Sequence, residues 1–149
     1  ASDMLFYMEQ GTSTDFGKEG VISVQDKALK LPSGLLMRYD DLKGETVEGR
    51  TEYTYKTRRG RTRIYGGKVV ENVCQAVARC IIGEQMLKIN RHYHVVLTVH
   101  DSVVCCVPED EVGEAQRYIE ECMRWLPDWA EGLPIDCESG VAKSYGDCE

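Results

Sequence analysis

The feature that most constrains the fold of this chain is an abrupt change of hydrophobic periodicity near residue 90. From Lys68 to Asn90, apolar residues recur every three or four positions, which predicts a long amphipathic helix. Two β-branched, apolar runs follow, His94–Val99 and Val103–Val107, with only His100-Asp101-Ser102 between them. So short a connection predicts a tight antiparallel hairpin. Because both runs are almost continuously apolar, we expect the hairpin to be buried on much of both faces.

The predicted helix carries two stripes of side chains along its length. The apolar stripe, which we expect to face the core, recurs at helical spacing. It consists of Val69, Val73, Ala76, Cys80, Gly83 and Leu87, widened by Val70, Val77 and Ile81. The polar stripe consists of Lys68, Asn72, Gln75 and Arg79. Steps of four, three and four residues place these polar side chains on one face, either as a solvated surface or as donors to a nucleic-acid minor groove.

Shorter signals predict the remaining elements. Pro32-Ser33-Gly34 and Arg58–Arg61 are turn sequences, each between two extended runs, and predict two more hairpins. Their strands are 28–31 with 35–39, and 52–57 with 62–65. Residues 1–20 show weak periodicity and are expected to be irregular.

Beyond the central hairpin, the sequence predicts a second helix and a last strand. Asp110 is the expected N-cap of this helix and Pro127 the residue that stops it. Residues 133–138 are expected to form a short strand. The order of elements indicates an α+β fold, in which two or more helices pack on an antiparallel sheet.

The charge of the chain is uneven. A net charge of −7 does not suit a nucleic-acid-binding protein unless cations are concentrated locally. Such a concentration lies just before the long helix, where six cations occur with no acid among them. They are Lys56, Arg58, Arg59, Arg61, Arg63 and Lys68. The Arg58–Arg63 segment is interpreted either as a phosphate-binding loop or as a solvated turn.

Cysteine usage and hydropathy restrict the compartment. Seven cysteines, an odd number without any C-x-x-C pair, argue against a disulfide framework and against a zinc ribbon. They favour a reducing, cytoplasmic compartment. No apolar run approaches the length of a membrane span, so no membrane association is expected.

His100 and Asp101 lie at the tip of the predicted central hairpin. An aspartate at a tight turn is commonly explained by hydrogen bonds to the nearby backbone. A carboxylate held between rigid strands can instead bind a hard cation such as Mg²⁺. A two-metal phosphoryl-transfer site needs further ligands, and no second carboxylate stands at a comparable position in this sequence.

Several segments, taken together, resemble one protein family. Tyr65–Arg79, which reads YGGKVVENVCQAVAR, resembles the helix that precedes the third polymerase motif of family A DNA polymerases. Val99–Val104, which reads VHDSVV, resembles that third motif, whose His-Asp pair lies at the tip of a hairpin in the palm. The segment WAEGLP at 129–134 is similar to the family's C-terminal ending, and Leu31–Leu35 to its phage branch. The resemblance extends over residues 28–147.

The resemblance implies the C-terminal palm portion of a polymerase I-like, phage-type enzyme. Its reaction would be template-directed nucleotidyl transfer to a primer 3′ end by a two-metal mechanism with two Mg²⁺ ions. By this likeness Asp101 is a catalytic metal ligand, and His100 lies near the primer terminus. The family usually has Glu after the aspartate, so Ser102 is at most a weaker, neutral ligand. Cys80 replaces an aspartate common in the family's helix.

The same resemblance assigns DNA contacts and partners. Gln75, with Asn72 or Glu71, would touch the minor groove of the new duplex. Further contacts would come from Lys68, Arg79, Arg61 and Arg63. The expected partners are primer–template DNA, deoxynucleoside triphosphates and the upstream part of the polymerase.

The resemblance also implies that one fragment, 1–149, follows the fingers. Residues 1–66 would form an irregular segment with hairpins, and 67–149 the palm with the third motif. The other metal-binding aspartate, the nucleotide-binding helix, the thumb and the exonuclease would lie upstream, so the chain alone is expected to be inactive. Its compartment would be the cytoplasm of a bacterium or a phage-infected host. The alternatives are a catalytically inactive module that binds duplex DNA and an inactive globular remnant.

Overall fold

The structure is a computed structural model that describes residues 2–17 and 20–148. The described residues form an α+β fold with three α-helices and antiparallel sheets, which confirms the predicted class. The chain divides into two compact units, Ala1–Cys80 and Ile81–Glu149, called here the N-terminal and C-terminal units. The division falls inside the long helix. No helix among the described residues combines the length and the hydropathy that crossing a bilayer requires.

The N-terminal unit contains one short helix, two sheets and the first part of the long helix. Helix α1 is Ser2–Gln10, and the first sheet has the order β1 (Thr14–Phe16), β2 (Ile22–Gln25), β3 (Ala28–Lys30), β4 (Leu36–Arg38). The second sheet has the order β5 (Lys43–Val47), β6 (Arg50–Thr57), β7 (Gly60–Ile64). Helix α2 spans Gly66–Ile89, close to the predicted 68–90. Every strand pair in these sheets is antiparallel.

The core of this unit is apolar and draws on all of these layers. Its buried members come from α1, the first sheet, the loop before β5, the end of β7 and the first turn of α2. They are Leu5, Met8, Ile22, Val24, Leu29, Tyr39, Leu42, Ile64 and Val69. Val73 and Val77 of α2 pack against this cluster, as the predicted apolar stripe requires.

The predicted irregular segment at 1–20 is wrong over most of its described length. Leu5 and Met8, three residues apart on α1, are fully buried, and β1 pairs with β2. Two buried positions on a nine-residue helix leave only a weak periodic signal in the sequence. Contacts with the rest of the unit stabilise this helix, since short helices are marginal without tertiary packing.

The two predicted upstream hairpins are confirmed, as β3–β4 and β6–β7. In the first, Gly34 adopts φ +85 and its N–H donates to the Leu31 carbonyl at 2.8 Å. A positive φ explains why glycine occupies this turn. The sequence analysis missed β5, whose polar composition and mostly exposed pattern carry no alternation that would predict a strand.

The C-terminal unit contains the end of α2, a hairpin, one helix and an irregular tail. The hairpin strands are β8 (Val95–Val99) and β9 (Ser102–Cys105), and helix α3 is Val112–Arg124. Single 3₁₀ turns occur at Asp128–Ala130 and Tyr145–Asp147. The predicted second helix and central hairpin are therefore confirmed in type and order.

Both ends of α3 and one predicted strand in this unit differ from prediction. The N-cap of α3 is Glu111 rather than Asp110, in helical backbone geometry and without a side-chain capping bond. The helix ends at Arg124, because Trp125 is already extended, before Pro127 is reached. The predicted strand at 133–138 is wrong, since no described strand pairs with it. Its backbone is fastened to α3 instead, because Arg124 donates to the Cys137 carbonyl at 3.1 Å.

The buried face of the last turns of α2 also differs from prediction. Leu87, a predicted core residue, is 70% exposed, and Val70 near the helix start is half-exposed. The buried positions are Ile81, Gln85 and Ile89, which recur every four residues. Because a polar residue, Gln85, lies on the buried face, the spacing of apolar residues alone does not identify that face.

The expectation that the central hairpin is buried on much of both faces is wrong. Val96 and Leu97 of β8 are 47% and 45% exposed. The reason is topological: in the part of the chain that the structure describes, β8 and β9 form a two-stranded sheet with no further strand beside them. Apolar side chains of such a ribbon are covered only where another element packs on them.

Candidate metal ligand and nucleic-acid contacts

The tip of the β8–β9 hairpin is a two-residue turn made by His100 and Asp101. Val99 pairs with Ser102, so Ser102 begins β9 rather than belonging to the turn. His100 has φ +54, a left-handed conformation that costs a non-glycine residue about 1–3 kcal/mol. Both side chains of the turn are exposed. Two-residue hairpin turns require a positive φ, and Glu48 adopts φ +49 in the corresponding turn between β5 and β6.

The carboxylate of Asp101 is not used to stabilise its own turn. Among the described residues, no side-chain hydrogen bond or ion pair involves Asp101 or His100. An aspartate selected for turn geometry would be expected to accept hydrogen bonds from nearby backbone N–H groups. The local-turn explanation of Asp101 therefore lacks the contacts that it requires, and both carboxylate oxygens face solvent.

The donor type at this tip fits a hard cation, but the number of donors does not. A carboxylate oxygen is the ligand that Mg²⁺ prefers. Within residues 2–17 and 20–148, no group of three His, Cys, Asp or Glu side chains is arranged to hold a metal ion. Ser102 follows Asp101 in an exposed strand position and offers one neutral hydroxyl. The described residues thus supply one carboxylate, and a complete site needs ligands from elsewhere.

The polar stripe of α2 lies in the N-terminal unit, and its members differ in availability. Lys68 donates to both carboxylate oxygens of Glu71 at 2.8 Å, and this contact raises the pKa of Lys68. Gln75 and Arg79 are exposed, and neither forms a side-chain hydrogen bond with described residues. Gln75 and Arg79 are therefore free to contact a ligand, whereas Lys68 and Glu71 first have to separate.

Asn72 is held by a residue that the sequence analysis did not identify. Its Nδ2 donates to the hydroxyl of Tyr39 at 3.1 Å, and the Tyr39 ring packs edge-on against Tyr55 at 5.2 Å. Burial raises the pKa of Tyr39, so the phenol stays neutral and accepts this bond. The contact joins α2 to the segment between β4 and β5. Tyr39 lies 33 residues away, and no local pattern relates it to Asn72.

All three guanidinium nitrogens of Arg61 in β7 donate hydrogen bonds within the N-terminal unit. It donates to the Asp41 carboxylate at 2.7 Å, the Asp41 carbonyl at 2.9 Å and the Thr54 carbonyl at 3.0 Å, and its Nε reaches the Thr54 hydroxyl at 3.0 Å. Asp41 has φ +50, so the arginine fastens a strained turn to the sheet. Arg63 forms an ion pair with Glu52 of the neighbouring strand. Both arginines that were predicted to bind DNA thus form ion pairs within the N-terminal unit.

Arg61→Gln is expected to lower the melting temperature by about 3–6 °C, because two backbone carbonyls lose their donors. The guanidinium holds the pKa of Asp41 below its usual range. A depressed carboxyl pKa contributes stability above the ordinary aspartate range, and this contribution is lost as the pH falls through the folded pKa. The difference between wild type and variant should therefore shrink in acid.

Circular dichroism melts at several pH values measure this effect. The matched control is Arg63→Gln, which removes one exposed ion pair and should change the melting temperature by no more than about 2 °C. Equal melting temperatures for wild type and Arg61→Gln at neutral pH would contradict the structural role of Arg61.

Comparisons with known proteins give two relatives. Over 136 residues, 86% of its length, the chain is 34% identical to the DNA polymerase of Bacillus phage SP02. Over 80 residues, 50% of its length, it is 28% identical to the DNA polymerase of Bacillus phage SP01. The chain spans 20% of the first relative, and the second match spans 9% of that protein. No family model matches the chain. No solved structure matches it.

Proposed function

We propose that this chain is part of a DNA polymerase, namely the C-terminal palm portion of a family A, phage-type enzyme. The observation that carries the proposal is its similarity to a phage DNA polymerase over 136 residues, nearly the whole chain. The hairpin tip adds chemistry to that likeness, since a two-residue turn exposes Asp101, whose carboxylate has no ion-pair partner among the described residues. The reaction is template-directed nucleotidyl transfer to a primer 3′ end.

In this proposal Asp101 contributes one carboxylate to a site for two Mg²⁺ ions. The remaining ligands, including a second aspartate, come from polymerase residues outside this chain. Bound Mg²⁺ would supply positive charge where negative charge develops on the transferred phosphate. The protein's own part is positional: the rigid turn holds the Asp101 carboxylate outward and places His100 beside the primer terminus. Ser102 contributes at most a neutral hydroxyl.

The DNA contacts are assigned by availability. Gln75 and Arg79 of α2 reach the minor groove of the new duplex, because neither side chain has another partner among the described residues. Asn72 positions α2 through Tyr39. Lys68 and Glu71 form an exposed ion pair, which has to open before Lys68 contacts DNA.

The partners follow from the same reaction. They are primer–template DNA, deoxynucleoside triphosphates and the other regions of the polymerase, without which this chain does not extend a primer. The compartment is the cytoplasm of a bacterium or of a phage-infected host cell.

A chimera tests the proposal directly. The segment of the Bacillus phage SP02 polymerase that aligns with this chain is replaced by the chain's own residues, and primer extension is measured with Mg²⁺ and four deoxynucleotides. We expect templated extension by the chimera and none by this chain alone, because no group of three potential ligands occurs among the residues that the structure describes.

The control is the same phage polymerase with the aligned segment deleted, which should not extend a primer. A chimera that folds cooperatively and binds primer–template but adds no nucleotide would contradict the proposal. Extension by this chain alone would also contradict it, since the described residues would then complete a metal site by themselves.

A second candidate function is binding of duplex DNA without catalysis. It is favoured by Ser102, which stands where the resembled motif carries a glutamate, and by the single carboxylate at the tip. This candidate requires duplex binding that weakens with salt and is unchanged by chelation of Mg²⁺. It also requires the chimera to remain inactive while Gln75→Ala weakens binding.

A further inference from the structure

We infer that the free end of the β6–β7 hairpin, formed by Lys56, Arg58 and Arg59, binds the phosphate backbone of duplex DNA. These three residues are called the hairpin cations below. The inference deepens the proposed function, on which the choice of DNA as partner rests. It departs from the prediction that Arg61 and Arg63 make these contacts.

The first step is the concentration of charge at this end of the sheet. Five cations and no acid occur from Tyr53 to Arg63, in a chain whose net charge is −7. In the register of β6 and β7, Lys56 lies opposite Arg61, and Thr57 lies opposite Gly60. Lys56 and Arg61 therefore project from the same face of the sheet, next to the turn that carries Arg58 and Arg59.

The second step is the division of these cations into paired and unpaired ones. Arg61 is bound to Asp41 and Arg63 to Glu52, so their charges are compensated within the sheet. The three hairpin cations are exposed, and none of them forms an ion pair with another residue that the structure describes. Uncompensated cations close together at the end of a hairpin create a local positive potential, which attracts a polyanion.

The third step is the rigidity of the turn. The Thr57 hydroxyl donates to the Gly60 carbonyl at 2.8 Å and accepts from the Arg59 N–H at 3.3 Å. Gly60 adopts φ +120, which a residue with a side chain rarely adopts. A turn held in this way presents Arg58 and Arg59 at a fixed place, which lowers the entropy lost when they bind phosphates. Guanidinium groups also match phosphate oxygens in a two-pronged geometry.

The hairpin cations form a surface large enough to contact a few phosphates but too small to read a base sequence. Backbone phosphates of duplex DNA carry one charge per ~1.7 Å of helix axis, so three neighbouring cations contact a short stretch of duplex. Such contacts hold the duplex in register and do not depend on base sequence. A polymerase that copies any template needs contacts of this kind.

The experiment compares the whole wild-type chain with an Arg58→Gln/Arg59→Gln double variant. Binding to a labelled blunt DNA duplex is followed by fluorescence anisotropy at salt concentrations from roughly 50 to 200 mM. We expect at least a tenfold loss of affinity at the lowest salt, and a salt slope smaller by about 2, because each phosphate contact contributes about 0.9. Thermal melts of both proteins should coincide, since neither side chain forms a hydrogen bond or ion pair with a residue that the structure describes.

The matched control removes two cations from the C-terminal unit, by Arg91→Gln with Arg117→Gln, neither of which forms an ion pair with a described residue. Both residues are exposed, and we expect the affinity and slope of this variant to stay within about twofold of wild type. An Arg58→Lys/Arg59→Lys variant retains the charge and should retain the salt slope. Wild-type affinity in the Gln double variant would overturn the inference. An equal loss in the control would do so too, because net charge alone would then explain binding.

Two further outcomes separate this inference from others. Binding of phosphatidylserine vesicles as tight as duplex binding, with the same dependence on Arg58 and Arg59, would overturn DNA as the partner. The polymerase proposal is tested separately by the chimera. If the chimera extends primers but Arg58 and Arg59 do not affect duplex binding, only this inference fails. If the hairpin cations bind duplex but the chimera is inactive, only the polymerase proposal fails.

Discussion

Asp101→Asn in the phage chimera is expected to reduce primer extension by about a thousandfold, because a metal ligand is worth several kcal/mol in such a site. The substitution keeps the size and shape of the side chain and removes its negative charge. Asp101 is exposed and has no side-chain partner among the described residues, so the fold should be unaffected. The variant therefore isolates the role of the charge. Single-turnover extension and thermal melting measure the two properties separately.

The matched control for this prediction is Asp110→Asn. Asp110 is also exposed, lies beyond β9 and forms no ion pair with described residues. We expect extension within about twofold of the parent chimera, since a surface aspartate far from the chemistry contributes little. If Asp101→Asn extends primers as fast as Asp110→Asn, Asp101 is not a metal ligand, and the exposed carboxylate at the strained turn needs another explanation.

Gln85→Leu is expected to lower the free energy of unfolding by about 2–4 kcal/mol, the largest effect that we predict on stability. Gln85 is 1% exposed, and its Nε2 donates to the Met123 carbonyl at 2.7 Å and the Trp125 carbonyl at 2.9 Å. These carbonyls lie at the C-terminal end of α3, where intrahelical donors are lacking. Leucine has a similar volume but no donor, so both carbonyls would remain buried or half-buried without partners.

The buried Oε1 of Gln85 has no hydrogen-bond partner in the described part of the chain. Glutamine at this position therefore leaves one buried acceptor without a hydrogen bond, and it donates two hydrogen bonds to carbonyls at the C-terminal end of α3. Urea unfolding followed by circular dichroism measures the balance. The matched control is Gln75→Leu, the same substitution at an exposed position of the same helix, which should change stability by less than about 0.5 kcal/mol. Equal stabilities of the two variants would contradict the capping role of Gln85.

The partners of Gln85 lie 38 and 40 residues away, whereas the position of Asp101 depends on a local turn, and this difference separates what sequence analysis reached from what it missed. The long helix, the three hairpins and the second helix were predicted correctly because their signals are local. Apolar spacing of three to four residues defines α2, and turn residues such as Gly34 define the hairpins. The position of Asp101 at a hairpin tip follows from the same local rule.

The errors lie where distant contacts decide. Helix α1 forms because Leu5 and Met8 are buried by the rest of the unit. The segment at 133–138 has no described strand beside it, and Arg124 binds its backbone instead. Gln85 rather than Leu87 faces the interior, because the end of α3 needs a donor there. Each outcome depends on a partner that no window of the sequence contains.

The sequence by itself determined the α+β class, the order of the main elements and the residues at the central hairpin tip, because periodicity and turn chemistry act within a few residues. Only the tertiary structure decided which charged side chains are available for binding. Asp41 and Glu52 compensate Arg61 and Arg63, whereas Asp101 and the hairpin cations have no partner among the described residues. Compensation of charge requires two groups within a few ångströms, and folding alone brings such groups together.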